Sequence, residues 1–339
     1  MVTGVQTCAL PICCDGIPLL CAGCRTDEDA TACVGYGRQR RAHFHRRVHS
    51  LRIFFRGTSD SPFVDELMRQ YVLEIAYDGG AFRGWQSQPC GRGVQDSLER
   101  ALRELKEKDR PVGAGRTDAG VHARAQIAGV RLSRDWEPRR LLLALNAKLP
   151  PSVSVIRTAL APPGFHARAS ALSRTYRYFI WNSSTCYPHI RPYVLWQPGE
   201  GYDWRRAKGA VRLFEGPHDF RAFCRTEECP GNTIRTVLRA RLKTRGRLVV
   251  FSVEADSFLT NMIRIMVGSL LEIAKGRRDE EWLETLLDGV STRAMNARTA
   301  SPAGLFFWRA GYPFAIDWCT ASGTREGKAT EPPRGNDPA

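Results

Sequence analysis

From Met68 to about residue 319, short runs of β-branched and aromatic residues keep alternating with segments whose apolar side chains recur at helical spacing. That alternation is what most restricts the fold. "QYVLEIAYD" (70–78) reads as a strand, and the Gly-rich "GGAFRGWQSQPCGRG" after it reads as a loop. Val94, Leu98, Ala101, Leu102 and Leu105 share one helical face, as do Leu141, Leu142, Leu145 and Leu149. Strands are expected at 126–132 and 153–158, with two strand candidates around "RTYRYFIWN" and two around "TVLRARLKT" and "RLVVFSVEA". Helices are expected at 204–214, 260–275 and 280–287. Strands and helices thus recur along the whole length, which fits an α+β fold of sheet and packed helices better than a pure bundle or barrel. No repeat can be stated by period, and two similar α+β halves stay open.

The ends differ from this body. Six of the eleven cysteines fall in the first 33 residues, where Cys21 and Cys24 form a C-x-x-C followed by His43, His45 and His49. The 20 residues between Cys24 and His45 exceed what a zinc finger allows, so no metal is expected. Residues 1–67 are expected to be a non-native or disordered leader, with 1–12 ("MVTGVQTCALPI") a translated sequencing adapter. It lacks the basic start and apolar run of a signal peptide. The polar, Pro- and Gly-rich stretch 320–339 is expected to be a disordered tail. Scattered cysteines in the body point to a reducing, cytoplasmic setting, and no apolar run reaches membrane-spanning length.

Charge narrows the partner. The first 67 residues hold 8 basic and 7 acidic side chains, so nearly all of the +15 net charge lies in the body. A polyanion such as nucleic acid is the partner this favours.

One loop is too tightly specified for an ordinary connection: "GAGRTDAGVHARAQ" (113–126) sets Asp118 among small residues, two positions from Arg116. Glycines let such a segment present a side chain into a cleft. Asp118 then reads as a nucleophile or base kept ionised by a nearby guanidinium, or as a plain turn with a local ion pair. Metal ligation is the weaker reading, since no His/Cys/Asp cluster of ligand spacing surrounds it. A second oddity is Arg264, a charge inside the apolar helical run "MIRIMVGSLLE" that needs a partner unless it lies on an exposed face.

"AGRTDAGVHA" (114–123), "YDGGAFRGWQSQP" (77–89), "FHARASALSRTYRY" (165–178) and "MIRIMVGSLLE" (262–272), in this order, resemble the TruA-type tRNA pseudouridine synthase family over roughly residues 68–312. The resemblance implies two similar α+β halves, 68–165 and 166–319, with mostly antiparallel sheet and packed helices forming a basic central cleft. It implies an isomerase that needs no cofactor, binds tRNA, works as a homodimer and converts uridine to pseudouridine at positions 38, 39 and 40 of the anticodon stem-loop. By the same resemblance Asp118 is the nucleophile, on ribose or on uracil. Tyr176 packs on the target base and takes part in proton removal, and Arg264 pairs with Asp118. Arg116 fills the gap left by the flipped nucleotide, while Phe165, His166 and Arg168 read the substrate stem, Arg168 on phosphate. His122 is as well a structural histidine, and Trp85 and Gln86 are supports for the loop. "EECPG" (227–231) departs from what RNA contact wants, because it puts two carboxylates at the expected RNA surface.

Three rival readings remain. A glycosidase or nucleosidase wants a second carboxylate near Asp118 in sequence, and none is there. A non-catalytic tRNA-binding protein places no demand on Asp118 or Arg264. A pseudouridine synthase acting on another RNA site is the most serious.

Overall fold

The computed structural model describes residues 68–322 and the backbone of Arg325–Glu326. The leader at 1–67, with its adapter-like start and cysteine pair, and most of the tail lie outside the described residues. In chain order the first half runs β1 (Arg69–Tyr77), α1 (Val94–Glu104), β2 (Val112–Gly113), β3 (His122–Leu132), α2 (Pro138–Asn146), β4 (Val153–Leu160). There follow β5 (Ser173–Asn182), β6 (Leu195–Gln197), α3 (Trp204–Ala210), β7 (Gly216–Asp219), β8 (Ile234–Arg245) and β9 (Leu248–Ala255). The last elements are α4 (Met262–Ala274), α5 (Glu280–Thr285), β10 (Leu305–Gly311), β11 (Trp318–Thr320) and β12 (Arg325–Glu326).

All strands join one mixed sheet of order β12-β11-β4-β1-β3-β10-β5-β9-β8-β7, with β2 added to β3 and β6 to β5. The fold is α+β and the pairing is antiparallel except for β3 with β10 and β5 with β6. The β3–β10 contact is only two residue pairs long, Phe306 opposite His122 and Phe307 opposite Ala123. It is the one parallel seam on the main strand path, and the chain entering β3 there carries the Asp118 loop. Helix α2 packs on β4 and touches α1, while α3 packs on α4 and β8. Each element turns its periodic apolar face inward: Leu98 and Leu102 of α1, Leu141 and Leu145 of α2, and Tyr71, Leu73 and Ile75 of β1 are fully or almost fully buried.

Helix α4 is apolar nearly all round and lies in the core, as such a pattern demands. It starts two residues later than expected because Asn261 takes a left-handed conformation at φ 64°. Helix α3 ends at Ala210 and tightens into a 3-10 turn at Val211–Phe214, which buries Val211 and Phe214. "RTYRYFIWN" forms one strand rather than two, and β3 begins four residues before the expected 126. Thr320, assigned to the tail, lies in β11, which pairs with both β4 and β12. No helix among the described residues is long and apolar enough to cross a membrane.

Candidate active site

The 113–121 loop is held from several sides. Its Ala114 N–H donates to Ile127 O at 2.8 Å, the Gln126 side chain donates to Gly115 O at 2.8 Å, and the Trp85 N–H donates to Thr117 O at 3.0 Å. The hydroxyls of Tyr77 and Thr117 bond at 2.8 Å inside the core, where burial pushes the Tyr77 phenol up to about 12. Gly84 sits at φ 91°, and a Cβ there would come within 2.6 Å of Thr117 O, so only glycine allows this approach of the two loops. Trp85 and Gln86 are supports, as expected: Trp85 is buried against Gly113 and Gln86 donates to Gln95 Oε1 at 2.8 Å.

The loop thereby offers Asp118 to a cavity of about 340 Å³. The side chain is 35% exposed and its Oδ2 lies 3.8 Å from Nη1 of Arg264. Burial pushes the carboxyl above its ordinary value, opposed by Arg264 and by the Asn261 backbone N–H, and reinforced by Glu228. The local reading of the loop puts Arg116 beside this charge and the family resemblance puts Arg264 there; Arg116 is exposed and makes no ion pair with Asp118. The cation comes instead from α4. Two further bonds fix its guanidinium: Nε donates to Ala300 O at 2.8 Å and Nη1 to Asn261 Oδ1 at 2.7 Å. A charge in an apolar helix has thus found a carboxylate and two acceptors, which settles the oddity noted in the sequence.

Tyr176 forms another wall of the cavity. It is buried in β5, paired with Phe307 of β10 and Val253 of β9. Its ring meets Phe258 and Phe307 edge-on, each at 5.1 Å between centroids. Burial drives its phenol well above the ordinary tyrosine value, so the hydroxyl stays protonated.

Arg116, Arg168 and Arg174 line the same cavity, and none has an acidic partner among the described residues. Arg168 is held below its ordinary value by burial first, then by the neighbouring Arg116 and Arg174. Three uncompensated cations at one opening attract an anion. Arg174 escaped the sequence reading. It donates to Ala114 O, Ala171 O, Asp256 O and Arg168 O, tying the Asp118 loop to two other segments.

The other expected contacts divide. Phe165 is a correction: at 4% exposure it packs on Tyr312 and Phe314 in the core, where it anchors the segment and cannot meet a stem. His166 is exposed, but its Nδ1 accepts from the N–H groups of Arg168 and Ala169, so it shapes the turn that displays Arg168. His122 is structural, its Nδ1 accepting from Gly79 N–H at 3.0 Å while its ring stacks on Phe306. Glu227 and Glu228 are both engaged by Arg225, at 3.0 and 3.2 Å, which softens the acidic patch.

Chemically the cavity joins a carboxyl group held above its ordinary value, a fixed cation, an aromatic wall and a ring of arginines. That set suits attack on, or proton exchange with, an uncharged ring carried by a polyanion. Among the described residues no group of three or more His, Cys, Asp or Glu could hold a metal ion.

A family model described as tRNA pseudouridine synthase matches residues 210–313. The tRNA pseudouridine synthase A of Methylacidiphilum infernorum is 39% identical over 248 residues, spanning 72% of this chain and 95% of that protein. Those of Bordetella parapertussis and Geobacillus kaustophilus are 37% and 38% identical, spanning 73% and 70% of this chain and 92% of each relative. The chain belongs to the tRNA pseudouridine synthase A family, a family of isomerases.

Proposed function

We propose that this protein converts uridine to pseudouridine in tRNA, in the anticodon stem-loop at positions 38, 39 and 40, with Asp118 as the nucleophile. What supports the reading is the convergence of Asp118, Tyr176 and Arg264 on one cavity from segments distant in the chain. In the reaction the bond from uracil N1 to ribose C1′ breaks, the ring turns, C5 bonds to C1′, the C5 hydrogen leaves as a proton and N1 takes up a proton, so the product is an isomer of the substrate. The ionised Asp118 attacks either C1′ or the uracil ring. Arg264 keeps that carboxylate charged and aimed. The flipped base loses its stacking in the stem, on the order of a few kcal/mol, and the Tyr176 face returns part of it. Since the phenol stays protonated, packing is the role its surroundings favour over proton removal.

Tyr176→Phe is therefore expected to keep turnover within about tenfold of wild type, while Tyr176→Leu loses on the order of 10²-fold or more. Single-turnover rates check this, and equal losses in both variants would instead assign the hydroxyl a chemical part. Arg168 would hold a backbone phosphate and Arg116 would occupy the gap left by the base, while Arg174, whose donors all go to backbone carbonyls, adds charge without a direct contact. The working unit in this reading is a homodimer, and light scattering of the full chain should give twice the protomer mass. A cytoplasmic setting accords with five described cysteines that are all free thiols.

The reading is tested by mapping the new pseudouridines in an unmodified tRNA transcript. Conversion confined to a uridine outside 38–40 favours the same chemistry on another site. Binding without conversion favours a non-catalytic tRNA-binding protein.

A further inference from the structure

A second cavity, of about 400 Å³, shares Asn261 with the first and is lined by Arg225, Glu227, Arg293, Arg298 and Thr299 among others. Its charges are unevenly matched. Arg225 is occupied by Glu227 and Glu228, whereas Arg293 and Arg298 have no acidic partner among the described residues. Arg293 is half-buried and yet fixed in place: Nη2 donates to Thr299 Oγ1 at 3.0 Å and Nη1 reaches Asn296 O at 3.5 Å. Burial without a counter-ion lowers its affinity for its proton, the mark of a cation short of an anion.

The segment that carries these residues is rigid. Asn296 Oδ1 accepts from Ser269 Oγ of α4 and from Ala297 N–H, and its amide donates to Ala222 O. Arg298 O lies so near α4 that a Cβ on Gly268 would come within 2.1 Å of it. Two residues further on, Ala300 exchanges bonds with Arg264 itself, accepting from its Nε and donating to its backbone oxygen. The backbone of the segment and the Arg293 side chain are thus ordered in advance, so an anion bound there loses affinity mainly to ordering Arg298.

We infer that Arg293 and Arg298 form a phosphate-binding subsite that takes an RNA backbone phosphate adjoining the nucleotide held at Asp118. This rests on the reading of the protein as a tRNA-modifying enzyme. The phosphate sits on the Arg293–Arg298 side, because Glu227 repels it from the Arg225 side. A guanidinium fork suits a phosphate's paired oxygens better than a lysine would.

The test uses the full chain and an unmodified tRNA transcript, with affinity measured across a salt series and with KM and kcat from tritium release. Arg298→Gln is expected to weaken binding by about tenfold and to lower the magnitude of the log–log salt slope by about one, with the kinetic loss falling on KM. Arg298 is exposed and makes no side-chain hydrogen bond among the described residues, so this variant keeps the fold even where Arg293→Gln loosens the loop. Arg293→Lys should recover part of what Arg293→Gln loses. Arg245→Gln, exposed at the far end of β8, serves as the control and should match wild type. An Arg298→Gln slope and KM equal to those of an active wild type would overturn the subsite, as would an equal change in the Arg245 control. A reduced slope with no turnover by wild type would uphold the subsite as an anion site and overturn the catalytic reading instead.

Discussion

Asp118→Asn is expected to lower pseudouridine formation on the order of 10⁴-fold or more while tRNA affinity stays near that of wild type. The amide keeps the size of the carboxylate but cannot attack carbon. The same variant is expected to be more stable than wild type at neutral pH, because the folded state raises the carboxyl above its ordinary value, chiefly by burial. A group raised on folding stabilises most below its unfolded value and loses that contribution as pH rises through the folded one. The advantage of Asn should therefore be absent in acid, grow as pH passes the ordinary carboxylate range, and be complete once pH exceeds the folded value. Thermal unfolding across pH checks it, and a variant less stable at neutral pH than at acid pH, relative to wild type, contradicts it. The acid limb of the wild-type rate profile should be displaced upward for the same reason.

Arg264→Gln has the second largest expected effect, a loss of turnover of about 10²- to 10³-fold. Three interactions go together: the 3.8 Å approach to Asp118 and the bonds to Ala300 O and Asn261 Oδ1. Without the guanidinium the carboxyl rises further, so the acid limb of the variant's rate profile moves higher still. The acceptors left without their donor cost about 1–3 kcal/mol, to be read from denaturant unfolding. Arg264→Lys keeps the charge but loses the fork, and should fall between the two. A Gln variant as active as wild type would remove Arg264 from the mechanism.

Much of this was legible in the sequence where local pattern and tertiary need agree. The apolar face of α1, the β-branched run of β1 and the loop around Asp118 all show themselves locally, and Arg264 stood out as a charge without a reason. Most of the failures at the site are of contacts. Spacing alone points to Arg116 as the partner of Asp118, because proximity in sequence is visible and proximity across α4 is not; only the family resemblance names Arg264. The resemblance joins Phe165 with His166 and Arg168 as one stem-reading segment, and a motif does not show which of its side chains turns into the core. Arg174 was passed over because its partners are backbone carbonyls of residues 114, 168, 171 and 256. Strand β10 was missed altogether, although "LFFW" has strong β propensity. It sits after a Pro-Gly stretch and pairs parallel with a strand far back in the chain, where no hairpin signal announces it.

The central claim is isomerisation through Asp118, and release of tritium from carbon 5 of uridine in a tRNA transcript tests it most directly. Wild type should release the label with one equivalent of pseudouridine per proton, and Asp118→Asn should release none while still binding the transcript. Tight binding by both proteins without release from either would contradict the account, and so would undiminished release by the Asn variant.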